Sequence, residues 1–84
     1  MLKNIAHLGS LLSNNSRISE AAVPQVRVNG VPISVVGDRV SDGDRMVEGS
    51  SMVRARGRPV CRLEDRDSRG HQVVDDVSPN VRAF

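Results

Sequence analysis

The sequence predicts a small all-β domain of short hairpins with pseudo-threefold symmetry, and three observations lead there. The stretch at 26–41, Val-Arg-Val-Asn-Gly-Val-Pro-Ile-Ser-Val-Val-Gly-Asp-Arg-Val-Ser, returns at 53–68 with a shift of 27 (53 − 26). Val, Arg, Gly, Pro, Asp, Arg and Ser hold their places, and Gly43 and Gly70 extend the register. Three units of that length nearly fill the 84 residues. The chain is also rich in Val, with one Phe and no Trp or Tyr, a composition that suits strands better than helices. Repeats that close on themselves let a single chain present a threefold surface, the shape needed to cap a trimer.

A chain of this size makes one domain with a marginal core, which usually leans on a metal, disulfides or a partner. One Cys excludes an internal disulfide. The net charge is +2, with acids interspersed among a basic set that is almost all Arg. The run Arg-Leu-Glu-Asp-Arg-Asp-Ser-Arg at 62–69 alternates in sign and is expected to be a solvated face. A nucleic-acid patch would be less mixed and would carry aromatics, so no nucleic-acid partner is expected. No apolar run approaches the ~18–20 residues of a membrane span. The opening Met-Leu-Lys-Asn-Ile-Ala-His-Leu-Gly-Ser-Leu-Leu is interrupted by His7 and Gly9-Ser10. It lacks a cleavage site, so no signal peptide is expected.

Residues 1–22 form a divergent N-terminal segment. Leu2, Ile5, Leu8 and Leu12 fall near helical spacing and allow a short helix. Ser13-Asn14-Asn15-Ser16 reads as a loop. The shift of 27 would set His7 beside Ser34 and Cys61, with little else matching. The first full unit is 23–49. Val26 and Val28 alternate with polar neighbours, Asn29-Gly30 is a tight-turn pair, and Val31–Val36 runs back. Pro32 lacks an N–H and belongs at an edge or a strand start. Gly37-Asp38 closes the hairpin, the Asp bonding nearby backbone N–H groups. The second unit, 50–77, repeats this with Arg56-Gly57 at the turn. Residues 78–84 start a partial third hairpin that the C-terminal end does not complete.

With these residues in place, the chain resembles the PAAR-repeat family, the spike-tip proteins of contractile injection systems. Pro32-Ile33-Ser34-Val35-Val36-Gly37-Asp38 and Pro59-Val60-Cys61-Arg62-Leu63-Glu64-Asp65 occupy the signature. Gly49-Ser50-Ser51-Met52-Val53 and Ser78-Pro79-Asn80-Val81 occupy the strand before it. Ile33-Ser34 departs from the family's Ala-Ala, and Glu64 replaces the second motif's Gly. The resemblance implies a small conical domain whose flat base caps the membrane-distal end of a trimeric β-helical spike, one copy per trimer, and whose point pierces a target cell envelope transiently.

The resemblance also implies one zinc or iron ion near the point, held by His and Cys. His71, His7 and Cys61 are the candidates, with Asp44 or a water as a fourth ligand; two surface histidines and no metal is the competing reading. Spacing alone does not argue for a metal, because there is no CxxC or HxxxH. Cys61 sits at a small-residue position, which suits a buried packing residue. Asp38 and Asp65 occupy equivalent turn positions and are expected to cap them. No G-x-G-x-x-G, P-loop or triad appears, so no enzyme activity and no small-molecule substrate are expected. The resemblance places the protein in a virion, at a phage tail's spike tip, because no extension carries an effector. The alternatives are an orphan type VI secretion tip, a small β protein-interaction module, or a small metal- or nucleic-acid-binding regulator.

Overall fold

Turn residues come so often in this chain that no strand exceeds three residues. The computed structural model describes residues 2–84. Its strands are β1 (Lys3–Asn4), β2 (Leu11–Leu12), β3 (Ile18–Glu20), β4 (Arg27–Val28), β5 (Val31–Pro32), β6 (Arg39–Val40), β7 (Arg54–Ala55), β8 (Arg58–Pro59), β9 (Val73–Asp75) and β10 (Arg82–Ala83). All pair antiparallel in two-stranded sheets: β1–β10, β2–β9, β3–β6, β4–β5 and β7–β8. The fold is all-β, with no helix among the described residues. No helix is therefore long and apolar enough to cross a membrane. The helical spacing at 2–12 is overridden: Ile5 and Leu12 are buried in two different cores, one on each side of the Gly9 turn.

Threefold order is written in hydrogen bonds. At the waist, the Cys61 N–H donates to the Ser34 carbonyl, Ser34 to Ala6, and Ala6 back to Cys61, at 2.9, 3.0 and 2.9 Å. The circuit is closed, and its three residues are fully buried. Ala6, not His7, therefore stands opposite Ser34 and Cys61, a shift of 28 (34 − 6). Below this ring, the N–H groups of His7, Val35 and Arg62 donate to the side chains of Ser10, Asp38 and Asp65 at 3.0, 3.1 and 2.8 Å. Ser10 does in the first unit what an Asp does in the others, which hides the first unit from a sequence comparison.

Two ends project from the waist. At one, β4–β5 and β7–β8 are hairpins turning through Asn29-Gly30 and Arg56-Gly57, with φ of 51° and 81°, and 51° and 80°. Positive φ at both central residues gives the turn whose twist matches a hairpin. The third position is filled by β10 pairing with β1, Lys3 opposite Ala83 and Asn4 opposite Arg82. The N-terminal strand thus completes the hairpin that the C-terminal residues begin. Val28, Ala55 and Ala83 from these hairpins share a core with Ile5, Ile33, Val35 and Val60.

At the other end, three loops spanning 12–16, 40–44 and 67–71 are each closed by a bond from Leu12 to Ser16, Val40 to Asp44 and Asp67 to His71. Ser13, Ser41 and Ser68 lock each loop to the next. Their N–H groups donate to the carbonyls of Gln72, Arg17 and Arg45, each at 2.8 Å, and their hydroxyls accept from the N–H groups of the same residues. Ile18, Met46 and Val73 sit in this end's core with Leu12, Val40, Ala6 and Cys61.

The alternating run at 62–69 is not wholly the solvated face expected, because Asp65 and Asp67 are buried. Their carboxylates accept bonds that the folded chain needs. Glu64 stands where the other units have Gly9 and Gly37, at φ 76° against 90° and 100°. A side chain in that region costs about 1–2 kcal/mol, while glycine costs roughly 0.5–1 kcal/mol in the unfolded chain. Glu64→Gly should therefore raise stability by about 0.5–1 kcal/mol. The exposed 3.5 Å pair between Lys3 and Glu64 adds little to oppose this. A lower denaturation midpoint in Glu64→Gly would mean the turn is not strained.

Candidate functional site

The loop end carries the group most capable of chemistry. By the loop-closing bonds, Leu12, Val40 and Asp67 are equivalent, and so are Ser16, Asp44 and His71. Two units put an apolar side chain at the first position, and the third puts a carboxylate there, fully buried. Asp67 Oδ1 accepts from the N–H groups of Arg69 and His71, both at 2.9 Å, and Oδ2 lies 3.1 Å from His71 Nδ1. The neighbouring loop delivers Asp44, whose Oδ2 is 3.6 Å from the same His71 nitrogen. Asp44 Oδ1 accepts from Arg69 Nε at 2.9 Å.

Asp42 completes the group. Its Oδ1 accepts the Asp44 N–H at 3.0 Å and its Oδ2 the Asn14 amide at 2.7 Å. Ligand atoms of Asp42, Asp44, Asp67 and His71 all lie within 4.8 Å of one another. The Asp44 N–H, with Asn14 behind it, holds the Asp42 carboxyl below its ordinary range. Desolvation pushes Asp44 up, against the pull of the Arg69 guanidinium.

An orphaned atom tests whether this group fits a cation. Asp44 Oδ2 is buried and has no hydrogen-bond partner among the described residues. Such an atom is costly unless something neutralises it. Three carboxylates and an imidazole are donors that zinc and iron accept. The residues therefore form a group that could hold a metal ion.

Of the candidates taken from the sequence, His71 lies in this group and Asp44 joins it. His7 and Cys61 lie at the waist, outside it. His7 bridges to Ile33, and its Nδ1 is 2.8 Å from the Leu8 carbonyl. Cys61 is fully buried, its thiol donating to the Glu48 carbonyl at 3.3 Å. Burial pushes the thiol up to about 12, so it stays protonated and unreactive near neutral pH. Asp42 and Asp67 were not among the candidates. The available signal was an acid at 67 in register with Val40.

The hairpin end is built for contact. Its three two-stranded sheets leave strand edges open, and Leu2, Met52, Val53 and Phe84 are exposed apolar side chains on its segments. Ser50 ties the segments together: its hydroxyl donates to the Phe84 carbonyl and accepts from the N–H groups of Met52 and Val53. Ser78 accepts from Val81 at 3.0 Å in the same way. On the flank, a shallow cavity of about 140 Å³ is lined by Glu20, Ala21, Ala22, Gly37, Arg39 and Arg45. It is well below the ~300 Å³ at which small-molecule sites usually begin.

No curated protein matches this chain. A family model described as the PAAR motif matches residues 5–75. That span runs from the first waist segment to the end of β9, and so covers all three loops and the waist ring. PAAR-motif proteins are structural modules associated with the spike tips of contractile injection systems, in tails and secretion machines. With most of its length matched and its waist, turns and loops repeated around one axis, this chain belongs to the PAAR-motif family.

Proposed function

We propose that this protein caps the membrane-distal end of a trimeric β-helical spike, one copy per trimer, and forms its point. The closed circuit through Ala6, Ser34 and Cys61 carries this reading. A single chain with three equivalent faces can meet all three subunits of a trimer in the same way, which an asymmetric monomer cannot do. The hairpin end supplies open strand edges and exposed apolar side chains, and a β-helical end is the kind of surface that adds to such edges. The loop end supplies stiffness, because every loop is bonded to the next.

Asp42, Asp44, Asp67 and His71 are proposed to hold one divalent ion, zinc or iron. The ion would act as a clamp between the second and third loops. Asp44 and Asp42 come from one and Asp67 and His71 from the other, so binding would resist their separation. No catalytic step is assigned to it.

The test is the mass of the complex formed with a trimeric β-helical spike fragment, with metal content measured on the same peak. One copy per trimer with about one zinc or iron is the expected result. A chain that stays free, or binds three copies per trimer, removes the capping reading. Asp67→Asn should lower metal content without changing the copy number. Unchanged metal content in that variant would move the ion elsewhere.

A further inference from the structure

Charge is divided between the two ends. The hairpin-end segments, 2–4, 23–32, 51–60 and 80–84, hold Lys3, Arg27, Arg54, Arg56, Arg58 and Arg82 and no acid at all. All ten acids lie in the rest of the chain. Lys3 is partly used by Glu64, and Arg58 reaches the Val36 carbonyl at 3.2 Å. The other four have no ion-pair partner among the described residues.

Three of those four are equivalent by symmetry. Arg27, Arg54 and Arg82 pair across their strands with Pro32, Pro59 and Asn4. All three are exposed. Two guanidiniums lie over their own turns, Arg27 on the Gly30 carbonyl at 3.3 Å and Arg54 on that of Gly57 at 3.0 Å. The result is an arginine at each corner, with apolar Leu2, Met52, Val53 and Phe84 on the same segments. Exposed Met, Phe and Arg are residue types in which protein interfaces are enriched.

We infer that this end is matched to an acidic partner: the trimer it caps carries carboxylates placed threefold around its end, one set for each of Arg27, Arg54 and Arg82. The inference rests on the capping proposal and adds the chemistry of the partner. Uncompensated cations on one face make association with an acidic surface faster and disfavour a basic one. Arginine suits the role because its planar fork meets a carboxylate through two bonds. The threefold placement selects a trimeric protein end over an anionic membrane, whose headgroups impose no spacing.

The experiment measures affinity for two trimeric β-helical fragments, one ending in a ring of Asp or Glu and one with that ring changed to Asn or Gln. The parent chain is expected to prefer the acidic fragment about 10- to 100-fold at low salt, and the preference should shrink as salt rises. The triple variant Arg27→Gln, Arg54→Gln, Arg82→Gln should lose that preference, with its melting temperature unchanged. The three single variants should each lose a similar share of that preference. Equal binding of both fragments by the parent leaves capping intact and overturns the inference. No binding to either fragment removes capping and the inference together. Vesicles containing phosphatidylserine form the control: binding that depends on the three arginines there, with no preference between the fragments, assigns the end to a membrane and overturns the inference.

Discussion

Asp65→Ala is expected to cost about 3–5 kcal/mol, the range for removing one partner of a buried ion pair. Asp65 and Arg62 side chains are 5% and 15% exposed. The carboxylate accepts three bonds from one residue: the Arg62 N–H at 2.8 Å, Nε at 2.9 Å and Nη2 at 2.9 Å. Truncation leaves a largely buried guanidinium unpaired and a turn N–H without its acceptor. A guanidinium is too basic to shed its proton, so the cation stays charged without its partner.

The other units supply the control. Ser10 caps the equivalent turn with a hydroxyl and no charge. Asp65→Ser should keep the turn bond and lose the ion pair, and so cost about 1 kcal/mol less than Asp65→Ala. Arg62→Ala with Asp65→Ser should recover part of the loss, because the unpaired charge is gone. Urea midpoints of the four proteins decide this. A loss below about 1 kcal/mol in Asp65→Ala would show that water reaches Arg62 and that the pair is a surface one.

Asp38 sits at the equivalent turn of the preceding unit, with no guanidinium among the described residues hydrogen-bonded to it. Desolvation there raises the carboxyl above its ordinary 3.8, against the N–H bonds from Ala22 and Val35. A folded-state pKa above the unfolded value means the unfolded chain releases the proton first. Stability is then lost as pH rises from about that ordinary value through the folded one. Asp38→Ser should lack this decline and cost only about 1 kcal/mol, mainly for the Ala22 bond.

The hairpins were legible because their turns are chemical. Asn29-Gly30 and Arg56-Gly57 adopt the positive φ that the sequence suggests. The first unit was harder to see, because its bonds go through backbone atoms that any residue offers. Ala6 matches Ser34 and Cys61 only in being small, and Ser10 matches Asp38 and Asp65 only in accepting a hydrogen bond. The one-residue change of shift, from 28 to 27, broke the register and pointed to His7. The candidate site was half visible for a similar reason. His71 carries its chemistry in its name, whereas Asp67 became notable only once it stood where Leu12 and Val40 are apolar. Its place in an alternating charge run suggested solvent, and burial came from the loop closing over it.

Ala6→Leu is the second large effect, expected at about 3 kcal/mol, the upper part of the range for overpacking. Ala6, Ser34 and Cys61 are each fully buried, and their backbones are joined in one ring of three bonds. Side chains from three faces meet there, so the space available to each is small. Relief by backbone movement would break a ring bond, which exposes a second buried polar group. Ser34→Ala at the adjoining face should act in the opposite direction. Its Oγ is buried and makes no hydrogen bond of good geometry among the described residues, though the Asp38 carboxyl and the Cys61 thiol lie beside it, and removing the hydroxyl should stabilise by up to about 1 kcal/mol. Thermal melting of both variants separates crowding at the axis from general intolerance of the waist. A waist that merely dislikes change would lose stability in both. A crowded axis with an unmet hydroxyl loses it with Leu at position 6 and gains it with Ala at position 34.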